Sequence, residues 1–185
     1  MNSEPRIYIA LGTNKAHDGL EGSEILRAAL KSLAQKGIKI HAASRPWTTP
    51  AWPDPSDPPY TNAAARIGTA LEPRALLDLL HAVEAEHGRA RTVPNAPRAL
   101  DLDLIDHGGR VEQGEEGLIV PHPRATGRAF VLLPLFDVAP DWRDPVSGTA
   151  IGALIDALPD ADRRAARPAG SVLCAAAPGL KPDAR

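Results

Sequence analysis

The stretch NAPRALDLDLI, from Asn95 to Ile105, alternates leucine with aspartate at Leu100, Asp101, Leu102, Asp103 and Leu104. Alternation at period 2 predicts a strand with three leucines on one face and both carboxylates on the other. The two aspartate Cα atoms then lie roughly 6.5–7 Å apart. Carboxylates at that separation can hold a hard cation, or a pair, and leave coordination positions for phosphate oxygens and water. Mg²⁺ suits such a site. The competing reading is an ordinary half-buried strand with a wet face.

The flanking arginines favour the metal. Arg89, Arg91 and Arg98 lie in or beside the loop that enters this strand. Guanidinium groups match phosphate oxygens in bidentate geometry, so a carboxylate pair with three arginines suits a polyphosphate. Downstream, VPHPRATGRAF (120–130) adds His122, Arg124 and Arg128, and His122 is a candidate phosphate donor or leaving-group contact. The six histidines show no paired ligand spacing for zinc. Neither a Walker A loop nor a dinucleotide fingerprint is present, and no G-x-S-x-G element supports covalent catalysis.

Around this stretch the elements fall into an order. Arg6–Leu11 reads as a strand ended by Gly12, and SEILRAALKSLAQKG as a helix capped by Ser23 and closed by Gly37. Ile38–Ser44 is a second strand. RPWTTPAWPDPSDPPY is too proline-rich for helix or central strand, and its length marks it as functional. YTNAAARIGTAL is a third strand. EPRALLDLLHAVEAEHG is a helix with Pro73 in its first turn and an apolar stripe of Leu76, Leu77, Leu80 and Val83. After the aspartate strand, HGG (107–109) predicts a hairpin turn into a short strand near Val111. The order is β-α-β-β-α-β, so the expected fold is α+β, a ferredoxin-like βαββαβ core with additional C-terminal helices. GRAFVLLPLFDVAP, interrupted near Pro134, and TAIGALIDAL supply those helices. One domain over residues 1–158 is expected, with 159–185 as a tail.

The 185 residues carry 21 basic and 23 acidic side chains, a net charge of −2, which gives no reason to expect nucleic acid or an acidic membrane as partner. The single cysteine, Cys174, cannot form an internal disulfide, and the start lacks the pattern of a signal peptide. No apolar run approaches the roughly 20 residues of a membrane span. A cytoplasmic protein is expected.

PRALDLDLI (97–105), GRAR (88–91) and VPHPRATGRAF (120–130) together resemble the 6-hydroxymethyl-7,8-dihydropterin pyrophosphokinases of folate biosynthesis. YIALGTN, TTP (48–50), YTNAA (60–64) and LLPLFDVAPDW (132–142) extend the resemblance, in order, over about residues 6 to 155. The resemblance implies a ferredoxin-like fold and Mg²⁺-dependent transfer of pyrophosphate from ATP to the hydroxymethyl group of the reduced pterin, releasing AMP. It implies that Asp101 and Asp103 hold two Mg²⁺ ions, with Asp101 a candidate to help take the hydroxyl proton. Arg89, Arg91, Arg98, His122 and Arg128 would contact ATP or stabilise charge, Arg89 and Arg98 acting with the aspartates in catalysis, and Glu84 would order the ATP site. Tyr60 and Phe130 would stack on the pterin, with Asn62 and main-chain groups around Thr49 and Pro50 reading its polar edge. Small-molecule substrates and a monomer are the expectation.

The loops 46–59 and 88–97 are the lid candidates. Here TVPNAPR replaces the family's usual basic and tryptophan-bearing stretch, and Thr92 stands where a basic residue is common. Trp47 and Trp52 are the aromatics left to a lid, packing being the alternative. Two other functions compete: a different Mg²⁺-dependent phosphoryl or nucleotidyl transferase on the same sheet, and a non-catalytic ligand-binding module.

Overall fold

The computed structural model describes residues 5–51, 54–89, 98–114 and 118–173. Strand β1 (Ile7–Thr13) leads to helix α1 (Ser23–Gln35), then β2 (Lys39–Ala43), β3 (Trp47–Thr49) and β4 (Tyr60–Gly68). Helix α2 (Pro73–Glu86) precedes β5 (Asp101–His107), the short strands β6 (Glu112–Gln113) and β7 (Ile119–Val120), and helices α3 (Ala129–Val138), α4 (Ile151–Ala157) and α5 (Asp160–Ala165). Strand β8 (Arg167–Pro168) follows. No described helix is long and apolar enough to cross a membrane.

The main sheet runs β5-β1-β4-β3-β8, with β2 also on β4, and its pairings are antiparallel. This is the ferredoxin-like α+β arrangement, its second strand split in two. Strand β2 pairs with the end of β4 and β3 with its start. Ser44 spans the break: its N–H donates to Ala64 O (2.8 Å) and its Oγ accepts Ala64 N–H (3.0 Å).

Helices cover both sheet faces. Ile7, Ile9, Leu11, Leu102 and Leu104 pack with Ile25, Leu26 and Leu33 of α1 and Leu76, Leu80 and Val83 of α2. On the opposite face Tyr8, Ala64 and Ile105 pack with Val131, Leu132 and Leu135 of α3, Trp142 and Ile151. The register of β1 on β5 shifts between Tyr8 and Ile9, so Ile105 is an extra residue in β5. Such a bulge reverses the alternation. It lets Ile105 and Asp106 both serve the α3 face.

Four local expectations are corrected. The proline-rich loop does contain a strand, β3, because Trp47, Thr48 and Thr49 are β-formers lying between Pro46 and Pro50 rather than containing a proline. Helix α3 continues through Pro134; burial of Val131, Leu132 and Leu135 against the sheet outweighs the one lost backbone bond. The glycine turn at 108–109 forms, with φ of 66° and 76°, yet β6 pairs with β7 rather than with β5. The segment from Pro159, read as a tail, carries α5 and β8 in its described part. A smaller difference concerns Ser23: Gly22 occupies the cap position of α1, and Ser23 Oγ instead accepts from Arg27 Nη1 (3.0 Å).

Asp106 is buried and accepts Trp142 Nε1–H (2.8 Å) and Gly109 N–H (2.8 Å). Burial pushes its carboxyl above the ordinary carboxylate range, against the pull of both bonds. Trp142→Phe keeps most of the ring and removes one donor. It is expected to cost about 2 kcal/mol in urea unfolding at neutral pH. A raised carboxyl pKa means that the fold disfavours the ionised form. The deficit therefore grows as pH rises through that raised value and shrinks toward about pH 4.

Candidate active site

The two aspartates begin β5 at the end of the sheet near the start of α3. Opposite them on β1 stand Gly12, paired with Asp101, and Ala10, paired with Asp103. Small residues there leave open space in front of the carboxylates. A Cβ at Gly12 would approach Asn62 Oδ1 to 3.2 Å. The resulting pocket is lined by Ala10, Gly12, Asn62, Asp101, Asp103 and Phe130, among others.

Asp101 is held by two arginines. Arg89 Nη1 donates to its Oδ1 (2.6 Å) and Arg98 Nη1 to its Oδ2 (2.9 Å). Arg89 also donates from Nη1 to Glu84 Oε1, which accepts Leu102 N–H (2.7 Å) in addition. Glu84 lies at the inner end of α2, where it is 1% exposed. One buried carboxylate thus joins helix, strand and arginine.

Asp103 has different surroundings. Among the described residues no hydrogen-bond donor is aimed at its carboxylate. Burial, then the charge of Asp101, push its carboxyl above the ordinary range, while His122, Arg128 and Arg89 pull the other way. His122 Nδ1 accepts Arg124 N–H (3.2 Å), so a neutral ring carries its proton on Nε2. Burial lowers the His122 pKa, which keeps the ring neutral near pH 7; Asp103 opposes this and the nearby arginines add to it. Its backbone N–H donates to Ile105 O (2.9 Å), which ties it to the outer edge of β5.

The aromatic and polar residues gather at the same end. Thr49 pairs with Tyr60 across β3 and β4, and Asn62 Nδ2 donates to Thr49 Oγ1 (3.0 Å). Tyr60 is close enough to Arg98 and Asp101 for their charges to act on its phenol, whose pKa burial raises. Phe130 forms part of the pocket wall, with the Arg128 guanidinium carbon 5.3 Å from its ring centre. Pro50 follows Thr49 directly. Arg91, Thr92 and Trp52 lie outside the described residues, as does nearly all of loop 88–97. Trp47 packs against the α3-side core and donates from Nε1 to Asp137 Oδ2 (3.0 Å).

Residues 8–140 match the family model of the 7,8-dihydro-6-hydroxymethylpterin-pyrophosphokinases. The chain belongs to this family. The 2-amino-4-hydroxy-6-hydroxymethyldihydropteridine pyrophosphokinase of Pseudomonas aeruginosa is 37% identical over 155 residues, covering 83% of this chain and 92% of that protein. The one from Synechocystis is 41% identical over 133 residues, 71% of this chain and 67% of its own. Folic acid synthesis protein fol1 of Pneumocystis carinii is 33% identical over 156 residues, but this chain spans only 20% of its length. The crystal structure of Plasmodium falciparum HPPK-DHPS shares the fold, with a TM-score of 0.61 at 15% identity, over 83% of this chain and 44% of that one. The protein is a pyrophosphokinase, transferring pyrophosphate from ATP to 6-hydroxymethyl-7,8-dihydropterin in folate biosynthesis.

One residue of the pyrophosphokinase that the motifs did not single out belongs to the site's frame. Asn14, buried just past β1, accepts Arg98 N–H at Oδ1 (2.9 Å) and donates from Nδ2 to Pro58 O (3.3 Å). Its signal was its place directly after the GT that ends the first strand.

Proposed function

We propose that this pyrophosphokinase works with two Mg²⁺ ions held by Asp101 and Asp103, between an ATP subsite of arginines and a pterin subsite on β3, β4 and α3. The observation that carries this reading is the unequal pair of carboxylates facing one pocket. Asp101 is neutralised by Arg89 and Arg98, whereas Asp103 is partly buried and, among the described residues, has no hydrogen-bond donor aimed at it. A partly desolvated carboxylate beside a second one and without a donor is held at a cost that a cation relieves. The donor set therefore fits a hard divalent ion, each Asp101 oxygen retaining a lone pair beside its arginine. When bound, such ions neutralise phosphate charge and orient the oxygens for in-line displacement.

The side chains supply the rest. Arg89 and Arg98, fixed by Asp101, present guanidinium edges to ATP, and Arg128 adds charge beside Phe130. Neutral His122 offers its Nε2–H to a phosphate oxygen. Arg91 belongs to the same set on the family's pattern. Glu84 acts through Arg89. Tyr60 and Phe130 supply faces for the pterin ring, and Asn62, Thr49 and the main chain near Pro50 read its edge. Catalysis is then mainly positioning and charge neutralisation, with the pterin hydroxyl set in line with the β-phosphorus and Asp101 placed to help take its proton.

Product analysis tests the reaction. With ATP, Mg²⁺ and the reduced hydroxymethylpterin, AMP and a diphosphorylated pterin are expected in equal amounts, and omission of Mg²⁺ is expected to stop their formation. ADP or free pyrophosphate as the nucleotide-derived product would overturn the proposal.

A further inference from the structure

The family model ends at residue 140, yet the chain beyond Pro159 returns to the sheet beside the proposed pterin subsite. Strand β8 pairs antiparallel with the outer edge of β3, Thr48 opposite Arg167 and Trp47 opposite Pro168. Ala169 N–H donates to Pro46 O (2.7 Å), and Leu173 N–H to Ser44 O (3.0 Å). Ala166 is buried in the α3-side core against which Trp47 packs, while Leu173 packs against the core on the other face. The segment is thus fastened at both ends and bonded between them.

Hydrogen-bonded and non-bonded pairs alternate along an antiparallel ladder. The bond from Ala169 to Pro46 puts Arg167 and Thr48 at the next bonded pair, with Pro168 between them, where its missing N–H costs nothing. Strand β3 needs this support. It is three residues long between Pro46 and Pro50, and neither proline has an N–H to donate. Without β8 it would be a short, proline-bounded sheet edge.

We infer that residues 166–173 form a strap that positions β3, and through it holds Thr49 against Asn62 in the attitude that reads the pterin's polar edge. The inference rests on the pterin placement proposed above. Its residues touch neither substrate; they act through the backbone of β3. Asp101 and Asp103 on β5, with Arg89 just after α2 and Arg98 just before β5, stand across β1 and β4 from the strap. Its loss is therefore felt by one substrate.

Ala169→Pro in the full chain removes the donor to Pro46 O. The pterin KM is expected to rise about fivefold while the ATP KM stays within twofold of wild type. Leu173→Ala loosens the same strap through its side-chain anchor and gives a smaller rise of the same selectivity, which also covers failure of the proline variant to fold. Equal changes in both KM values, or pterin KM values within twofold of wild type in the folded variants, would overturn the inference. Asn62→Ala is the control on the underlying placement. If it leaves the pterin KM unaltered, the subsite reading itself fails; if it raises that KM while the strap variants do not, only the strap fails.

Discussion

Asp101→Ala and Asp103→Ala are each expected to lower kcat/KM about a thousandfold, since each removes a ligand that organises charge around the transferred group. The two variants should part company in stability. Asp101 is the carboxylate on which Arg89 and Arg98 converge, so its loss leaves two half-buried guanidiniums facing each other. Asp103 is a desolvated charge beside another carboxylate, and its ionisation opposes folding when no metal is present. Asp103→Asn is therefore expected to melt no lower than wild type in Mg²⁺-free buffer, while Asp101→Ala melts lower. The sign with pH follows from the raised Asp103 carboxyl. The metal-free wild-type protein loses stability as pH climbs from the ordinary aspartate range through that raised value, and Asp103→Asn does not share the loss. Mg²⁺ competes with the same proton, so the Mg²⁺ concentration for half-maximal activity should increase as pH falls. Thermal melts and Mg²⁺ titrations at three pH values check both halves. Asp103→Ala retaining tenth-of-wild-type turnover would sink the metal assignment.

What the sequence disclosed here was whatever depends on local periodicity. The alternation through Leu100–Leu104 put both aspartates on one face, and helices α1 and α2 followed from stripes of leucine, isoleucine and valine. The order βαββαβ came from those elements alone. Pieces fixed by tertiary partners were hidden. Strand β3 is three residues in a proline-rich run, and only its register on β4 and β8 makes it a strand. Strand β8 is two residues, one a proline, with no period to detect. The bulge at Ile105 could not be seen either, because it exists only as a shift against β1. In the site, the cluster of arginines was legible as charge near carboxylates. Which arginine meets which oxygen was not, because that depends on the packing of α2 against β5. Glu84 came from family resemblance; its place four residues after Leu80 puts it on the apolar face of α2, but only the bond from Leu102 N–H shows what a carboxylate does there.

Glu84→Ala is expected to be the most destabilising single change at the site, by about 3–5 kcal/mol in urea unfolding. The carboxylate lies fully inside, where its Oε1 receives the Leu102 backbone N–H and the Arg89 guanidinium together. Truncation leaves a ladder-side N–H without its acceptor and removes one of the two carboxylates around Arg89 Nη1. Glu84→Gln keeps an acceptor oxygen at the same place and loses only the charge, so a smaller cost of about 1–2 kcal/mol is expected. Activity should follow the same ranking for a different reason. Arg89 reaches Asp101 from a position that Glu84 fixes, and its backbone N–H also donates to Glu84 O (3.0 Å), a bond that both variants keep. What the variants lose is side-chain direction, not the place of the chain. kcat/KM for ATP is expected to drop about a hundredfold in Glu84→Ala and about tenfold in Glu84→Gln, the cost of misplacing one charge-stabilising group. The pterin dissociation constant, measured by calorimetry without nucleotide, should stay within about threefold, because Tyr60, Asn62 and Phe130 are held by β4 and α3. A Glu84→Ala protein that unfolds within 1 kcal/mol of wild type, or that weakens pterin and ATP alike, would show that Glu84 is not the residue orienting Arg89.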